Sequence, residues 1–454
     1  MQPAQRGDNS FWQHLRAEQE PMTLRRDGQP VHWSDEALHR AAYAADPTLS
    51  ALYSLAQGVT AWQRARILYQ LLERSRHGMS EGDRKLLERV GVLLLVSLNP
   101  DTVLTVFLAL RRARANHKHT TRAIASYLLN HPDMEDMAAK RCPAVQECLE
   151  HALGKATARA SMRHLIEPDG NREYVRRHLL RFTWEPARVE ALAALLGRGK
   201  HEQEPTFPES ADYRRHYTHY ETQLEGVTAP PETVTATNRG EIASLLTHLY
   251  RGGSTPALVS ALEAAVARAS VRLPRFHGKL VMVLDASSSM RGYGERAYCT
   301  LAQSFALERV LQQRCDAYQV LVVGGFGWPP APEGPTDLAK PLLDALEHQP
   351  DLVVIVSDGY ENCYEGDLAR VVATLPCLGV ETPVVFCHSK FSPADDLTLR
   401  RPARNLPELA FWHQDDFTDL LLNFHLLADT PATRAGLRAF LLRRLERIEQ
   451  ECML

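Results

Sequence analysis

Short apolar runs alternate with amphipathic segments from residue 278 to residue 426, and this alternation constrains the fold more than any other feature of the chain. The run from Leu280 to Leu284 contains no polar residue, which is typical of a strand buried on both faces of a parallel sheet. Strands and helices in strict succession predict a doubly wound α/β fold, in which ligands bind at the carboxyl ends of the strands. We predict strands at 279–284, 317–323, 351–356, 383–387 and 408–412, and helices at 295–313, 338–348, 367–375 and 416–426.

The end of the first predicted strand carries several oxygen donors. Asp285, Ser287 and Ser289 stand at every second position, so in an extended chain one carboxylate and two hydroxyls project together. An all-oxygen set suits a hard divalent cation and does not suit zinc, which prefers nitrogen and sulfur. Taken alone, the triplet is better explained as a helix N-cap with spare serines.

Two further loops supply oxygen atoms at the same predicted edge of the sheet. Thr336 opens a helix after Gly334, and Asp358 follows the apolar strand 351–356 and precedes Gly359, which allows a sharp backbone turn. Three such loops at one sheet edge favour a common site. Over roughly residues 275–430, these motifs resemble the von Willebrand factor A domain and its metal-ion-dependent adhesion site.

The resemblance implies a particular metal site and a particular kind of ligand. One Mg²⁺ or Mn²⁺ would be held by the oxygens of five residues, some directly and some through water, with one position left for an acidic group of a partner. The implied metal-binding residues are Asp285, Ser287, Ser289, Thr336 and Asp358. The segment 324–334 is short and rich in proline, so we expect the edge hairpin of that family to be trimmed here.

The sequence offers little that points to catalysis. Glu361 and His388 are the candidate general bases near the site, and neither forms a recognisable pair with a nucleophile. No phosphate-binding glycine loop and no Ser/His/Asp pattern occurs elsewhere. We therefore expect a non-catalytic binding protein rather than an enzyme.

The region before the sheet is predicted to be helical. Apolar residues recur three and four apart, and the breaks fall at Gly78, at Pro100 and at Pro132. Helices in series without strands suggest stacked hairpins of the HEAT or armadillo kind. The predicted helices are 61–75, 81–97, 102–114, 120–129 and 145–153.

The sequence predicts four parts of the chain. Residues 1–200 form a helical repeat region, and residues 201–270 form a connector with the last helices of that region, including a helix at 256–270. Residues 271–430 form the von Willebrand-like domain, and residues 431–454 form an amphipathic C-terminal helix.

The positive charge of the chain is concentrated in its helical half. Residues 101–200 contain 17 Lys and Arg against 11 Asp and Glu, whereas the whole chain has a net charge of −3. Helices followed by this metal domain resemble the layout of the Ro autoantigen family, whose helical TROVE module binds RNA. The resemblance suggests an RNA-binding surface, with the aromatic segment Tyr213 to Tyr220 available for base stacking. The candidate RNA-binding residues are Arg111, Arg112, Arg114, His117, Lys118, His119 and Arg122.

Two alternatives remain open for this region. A run of charge is often only a solvated helix face. Helices joined to such a metal domain also resemble partners of MoxR-type AAA+ ATPases, and a protein adaptor of that kind needs no RNA and no basic surface.

The eight cysteines form no Cys-x-x-Cys pair, so we expect reduced, buried thiols. With neither a secretory signal nor a membrane-spanning apolar run, we expect a cytoplasmic protein.

Overall fold

The computed structural model describes residues 7–18, 20–24, 33–56, 59–131, 137–138, 140–166, 239–252, 255–391 and 400–453. The chain divides into two compact units, one formed by Met1–Gly226 with Leu441–Leu454 and the other by Val227–Phe440. Most of the predicted connector, with the segment Tyr213 to Tyr220, lies outside the described residues. Within the described ranges, every helix is too short or too polar to cross a lipid bilayer.

The first unit is helical wherever it forms regular structure in the described ranges between 7 and 166. Side-chain caps fix two of the predicted helix starts, since the Thr60 hydroxyl accepts the Gln63 N–H and the Ser80 hydroxyl accepts the Asp83 N–H. The interpretation as HEAT or armadillo repeats stays a prediction. The helices are α1 Gly7–Ala17, α2 Glu36–Ala45, α3 Pro47–Leu52, α4 Ala61–Glu73, α5 Glu81–Ser97, α6 Pro100–Arg112, α7 Lys118–Asn130, α8 Cys142–Leu153 and α9 Lys155–Ile166.

The second unit contains the predicted alternation of strands and helices. All five predicted strands form, and they pair in parallel in the order β2-β1-β3-β4-β5. The elements are α10 Glu241–Gly252, α11 Pro256–Arg272, β1 Phe276–Asp285, α12 Cys299–Arg314, β2 Cys315–Val323, α13 Ala339–Glu347, β3 Leu352–Ser357, α14 Asp367–Thr374, β4 Val384–Ser389, β5 Glu408–Phe411 and α15 Phe417–Ala428. A last helix, α16, runs from Pro431 to Met453.

The central strands bury both of their faces, as the apolar run of β1 predicts. Leu280, Met282 and Leu284 belong to one core, which α12 and α15 cover. Val281 and Val283 belong to the other core, which α13 and α14 cover. Helices therefore lie on both faces of the sheet, and the edge formed by the carboxyl ends of the strands carries the connecting loops.

Helices α10 and α11 belong to the sheet unit, which corrects the division at residue 270. Their apolar side chains, among them Ile242, Leu246, Leu262 and Val266, share a buried core with α12 and the sheet. They pack against α12, in which the polar residues Ser304 and Glu308 are buried. At the other end, residues 441–454 group with the first unit instead of forming a separate element.

The predicted reduced state of the cysteines agrees with the structure for seven of them, which form no disulfide in the described residues. The expectation that the thiols are buried is wrong for Cys377, which is exposed in the turn Leu375–Leu378. Cys142 and Cys363 are half-buried.

Candidate metal centre

Asp285 ends β1 in a completely buried position at the carboxyl edge of the sheet. Both of its carboxylate oxygens accept hydrogen bonds. Oδ1 accepts the backbone N–H of Ser287 at 2.9 Å, and Oδ2 accepts the hydroxyl of Ser357 at 2.6 Å. Ser357 is the last residue of β3, the strand that pairs with β1, and its hydroxyl in turn accepts the N–H of Gly359 at 3.0 Å. The carboxylate is thus held from its own loop and from the neighbouring strand.

The three predicted hydroxyls form a chain from the loop after β2 to the loop after β3. The Thr336 hydroxyl donates to Ser287 Oγ at 2.7 Å, and Ser287 Oγ lies 3.1 Å from Ser289 Oγ. The Ser289 side chain hydrogen-bonds the carboxylate of Asp358. Ser287 and Thr336 are completely buried, and Asp358 is 5% exposed. The structure therefore brings together all five residues that the sequence assigned to a metal site.

Backbone hydrogen bonds hold the three loops against one another. Ala286 N–H donates to the carbonyl of Val323, Ser288 N–H donates to that of Gly334, and Cys363 N–H donates to that of Thr336. These bonds set the position of Thr336 from both neighbouring loops.

Two glycines let these loops approach so closely. Gly324 has a φ of +70°, and a Cβ there would stand 2.5 Å from the carbonyl oxygen of Glu333. Gly359 has a φ of +92°, and a Cβ there would collide with the backbone of Arg400. Both positions combine a left-handed backbone with a lack of space, which only glycine accommodates without strain.

The electrostatics of the site are those of two buried carboxylates. Burial, and then the nearby charge of Asp358, raise the pKa of Asp285 to about 6. Burial also raises the pKa of Asp358, even though the Tyr360 N–H, the Ser289 hydroxyl and the charge of Arg400 act in the opposite direction. A raised pKa means that the folded protein bears a free-energy cost when both groups are ionised.

The residues present fit a hard divalent cation. Two carboxylates and three hydroxyls offer oxygen donors only, which suits Mg²⁺ or Mn²⁺. A cation bound among them would offset the cost of burying the two negative charges. The donors come from three separate loops, so the site exists only in the folded sheet.

The two candidate general bases differ in their surroundings. Glu361 is engaged in structure, because its Oε2 accepts the Gly366 N–H at 2.7 Å and its Oε1 accepts the Leu368 N–H at 3.0 Å. His388 lies near the end of β4, beside Ser357 in the strand register, and is 1% exposed. Burial, and then the charge of Arg400, lower its pKa to about 4, so its ring is neutral at pH 7.

The predicted RNA-binding residues do not form a uniform cationic surface. Arg111 forms ion pairs with Glu147 and Glu150 of α8. His119 stacks on the ring of His117 at 5.4 Å, and burial, with the charge of Arg76, lowers its pKa to about 4. The exposed members of the set are Arg114, Lys118 and Arg122, with Arg112 and His117 half-buried.

A second cluster of polar groups, in the helical unit, was not predicted. The ring nitrogens of His14 and His39 and a carboxylate oxygen of Asp35 lie within 4.8 Å of one another. The Nε2 atoms of both histidines and both carboxylate oxygens of Asp35 already have hydrogen-bond partners. Asp35 Oδ2 accepts from His14 Nε2 at 2.8 Å and from Gln63 Nε2 at 2.9 Å, and His39 Nε2 donates to Gln63 Oε1 at 2.6 Å.

A guanidinium completes this second cluster. Arg66 Nε donates to Asp35 Oδ1 at 2.8 Å, and both side chains are buried. Burial alone would raise the pKa of Asp35, but the bonds from Gln63 and His14 and the charge of Arg66 lower it. A metal ion here would meet the positive charge of Arg66 and displace two N–H protons, so we interpret the cluster as a structural network. No spacing in the sequence predicts this cluster, because His14 and Gln63 are distant from Asp35 along the chain.

Comparison of the chain with protein-family models, with curated proteins and with solved structures found no match in any of the three.

Proposed function

We propose that the unit Val227–Phe440 is a non-catalytic binding module of the von Willebrand factor A type, in which Mg²⁺ or Mn²⁺ links the protein to a carboxylate of a protein partner. The observation that carries the proposal is the convergence of Asp285, Asp358 and three hydroxyls at one sheet edge. When bound, the metal supplies a positive charge that attracts an anionic ligand group. The chain's own residues hold the ion and orient its open side.

The surroundings of the site support binding over catalysis. A hydrolytic reaction needs a positioned base beside the metal. Glu361 is one of the two candidate general bases, and both of its carboxylate oxygens accept hydrogen bonds from backbone N–H groups. Its carboxylate fixes the loop after β3, so it serves the shape of the site.

A protein partner is better supported than RNA. The helical unit offers fewer available cations than its sequence suggests, because Arg111 is paired with glutamates and His119 is neutral. An adaptor function, for instance toward an AAA+ ATPase of the MoxR type, requires only the metal site. The Ro-like interpretation, with RNA on the helical region, stays a prediction, as does a cytoplasmic location.

Calorimetric titration of the full chain with Mg²⁺ and with Mn²⁺ tests the proposal. The wild type should bind one ion, and Asp285→Ala should abolish binding while the sheet stays folded by circular dichroism. Asp344→Ala is the matched control, since Asp344 is a surface carboxylate of the same unit that pairs with Lys340. Equal Mg²⁺ affinity in wild type and Asp285→Ala would show that the site is assigned wrongly.

A further inference from the structure

Exposed aromatic side chains occur in the loops at the carboxyl edge of the sheet. The described residues include nine exposed large hydrophobic side chains, and five of these lie in the loops after β1, β2 and β3. These are the same three loops that carry the metal donors. We call these five residues the aromatic rim; they are 48% to 82% exposed and comprise Tyr293, Phe326, Trp328, Tyr360 and Tyr364.

Two loops of the rim are hydrogen-bonded to a donor residue or to its neighbour in the chain. Tyr360 donates its backbone N–H to Asp358 Oδ1 at 3.2 Å. The turn that carries Phe326 closes on Ala331, and Glu333, just beyond it, donates its N–H to the carbonyl of Ala286. Hydrogen bonds thus tie the loops that carry Tyr360 and Phe326 to Asp358 and to Ala286, the neighbour of Asp285.

Two of the rings are held in place by neighbouring side chains. The rings of Trp328 and Phe305 pack edge to face, with 6.3 Å between their centres, and the guanidinium of Arg309 lies 5.9 Å from the ring centre of Trp328. The guanidinium of Arg400 lies 5.7 Å from the ring centre of Tyr360. Exposed rings that are already ordered lose little entropy when a partner covers them, and such residues dominate the energy of protein interfaces.

The charges of the three loops distinguish between kinds of partner. Arg291 and Arg296 are exposed there, and so are Glu333 and Glu365. The described acidic side chains of these loops, which also include the half-buried Asp337 and Glu361, outnumber the two arginines, so the rim has no excess positive charge to attract a polyanion such as RNA. What the surface offers is apolar area around one proposed cation.

We propose that the aromatic rim docks a polypeptide segment in which one carboxylate is flanked by apolar side chains. The carboxylate reaches the metal, and the flanking side chains cover the rings. The inference rests on the proposed function, since it is the proposed metal that would bind the carboxylate of the segment. It adds the partner's chemistry and the residues that select it.

Peptide selection on the full chain tests this inference. Random displayed peptides are bound in Mg²⁺ and eluted with EDTA, and the selected peptides are then synthesised and titrated by fluorescence anisotropy. Asp or Glu with aromatic or aliphatic neighbours should be enriched. Trp328→Ser and Tyr364→Ser should each weaken the selected peptides about tenfold or more. Leu378→Ser is the matched control, because Leu378 is 69% exposed in the same unit outside these loops.

The outcomes separate the two proposals. If the rim variants keep Mg²⁺ affinity by calorimetry and lose peptide affinity, the inference is supported. If they bind the peptides as tightly as wild type does, it is overturned while the metal site stands. A single-stranded oligonucleotide that binds wild type in Mg²⁺ and is lost in the rim variants would overturn the assignment to a polypeptide. Absence of Mg²⁺ binding by the wild type would overturn the proposed function, and this inference with it.

Discussion

Replacing Asp285 by asparagine separates two roles of a buried carboxylate, metal donor and hydrogen-bond acceptor. Asparagine keeps an oxygen that accepts the Ser287 N–H, and its amide can donate to the Ser357 hydroxyl, which reverses that hydrogen bond and removes Asp285 as the acceptor of the hydroxyl proton. What disappears is the negative charge, which burial and Asp358 make costly. We expect Asp285→Asn to stabilise the metal-free protein and to abolish its response to Mg²⁺.

The size of the effect follows from the pKa of Asp285. Its rise from 3.8 to about 6 corresponds to about 3 kcal/mol of unfolding free energy, at about 1.4 kcal/mol per pKa unit. Because the folded state has the higher pKa, the cost is complete above about pH 6, falls as the pH drops and vanishes below about pH 4. In EDTA at pH 7.5, Asp285→Asn should therefore melt about 6 to 12 °C above wild type.

Scanning calorimetry in EDTA and in Mg²⁺ measures the effect, and amide exchange in β1 assigns the transition to the sheet unit. Mg²⁺ at a hundredfold excess over its Kd should stabilise wild type by about 2.7 kcal/mol and leave the variant unchanged. Asp351→Asn is the control, because Asp351 accepts the Lys279 N–H at the opposite end of the sheet. If Asp285→Asn melts below wild type in EDTA at pH 7.5, the carboxylate serves the fold as an acceptor and the reasoning fails.

The remaining predictions address other parts of the chain. Ser357→Ala removes the hydroxyl that holds Asp285 Oδ2, so calorimetry should show Mg²⁺ affinity about tenfold weaker; unchanged affinity would contradict this role. Burial, and then Glu263, raise the pKa of Glu308 from 4.5 to about 7, so Glu308→Gln should gain about 3–4 kcal/mol of unfolding free energy at pH 8, measured in urea, and nothing below about pH 4.5. If the helical unit binds RNA, reversing the charges of Arg114 and Lys118 should weaken binding and flatten its salt dependence in a shift assay, whereas no binding by wild type at low salt would refute the RNA prediction. Reductant should leave the melting temperature in scanning calorimetry unchanged, because seven of the eight cysteines form no disulfide in the part of the chain that the structure describes.

The sheet could be predicted from the sequence because parallel strands buried on both faces leave a strong local signal. The apolar run from Leu280 to Leu284 has no counterpart in an amphipathic helix, and it lies within β1 as observed. The start of α12 was harder to place. The predicted helix begins at residue 295, whereas α12 begins at Cys299, because Tyr298 takes a left-handed φ of +67° after two 3₁₀ turns.

The position of helices α10 and α11 could not be read from their residues. An apolar helix face shows that a helix packs against something, and it does not show against what. Ile242 and Leu262 reach the core of the sheet through their contacts with α12, which are long-range in the chain. Contacts of this kind are visible only when the fold is known.

Part of the candidate metal site could be predicted from the sequence, and part could not. Asp285, Ser287 and Ser289 are neighbours in the sequence, so their convergence follows from strand geometry alone. Ser357 was missed, although it directly precedes Asp358. Its hydroxyl meets Asp285 because β1 pairs with β3 in a particular register, and no local pattern specifies that register.

The strand order explains why the donors meet where they do. From β1 the chain passes to α12 on one face of the sheet, and from β3 it passes to α14 on the other face. Since β1 and β3 are adjacent, the loops that leave them toward opposite faces begin side by side, with Asp285 and Asp358 at their starts. Backbone hydrogen bonds then hold Thr336, in the loop after β2, at the same edge of the sheet. Two carboxylates with raised pKa values lower the stability of the sheet at neutral pH, and the proposed cation would offset that cost.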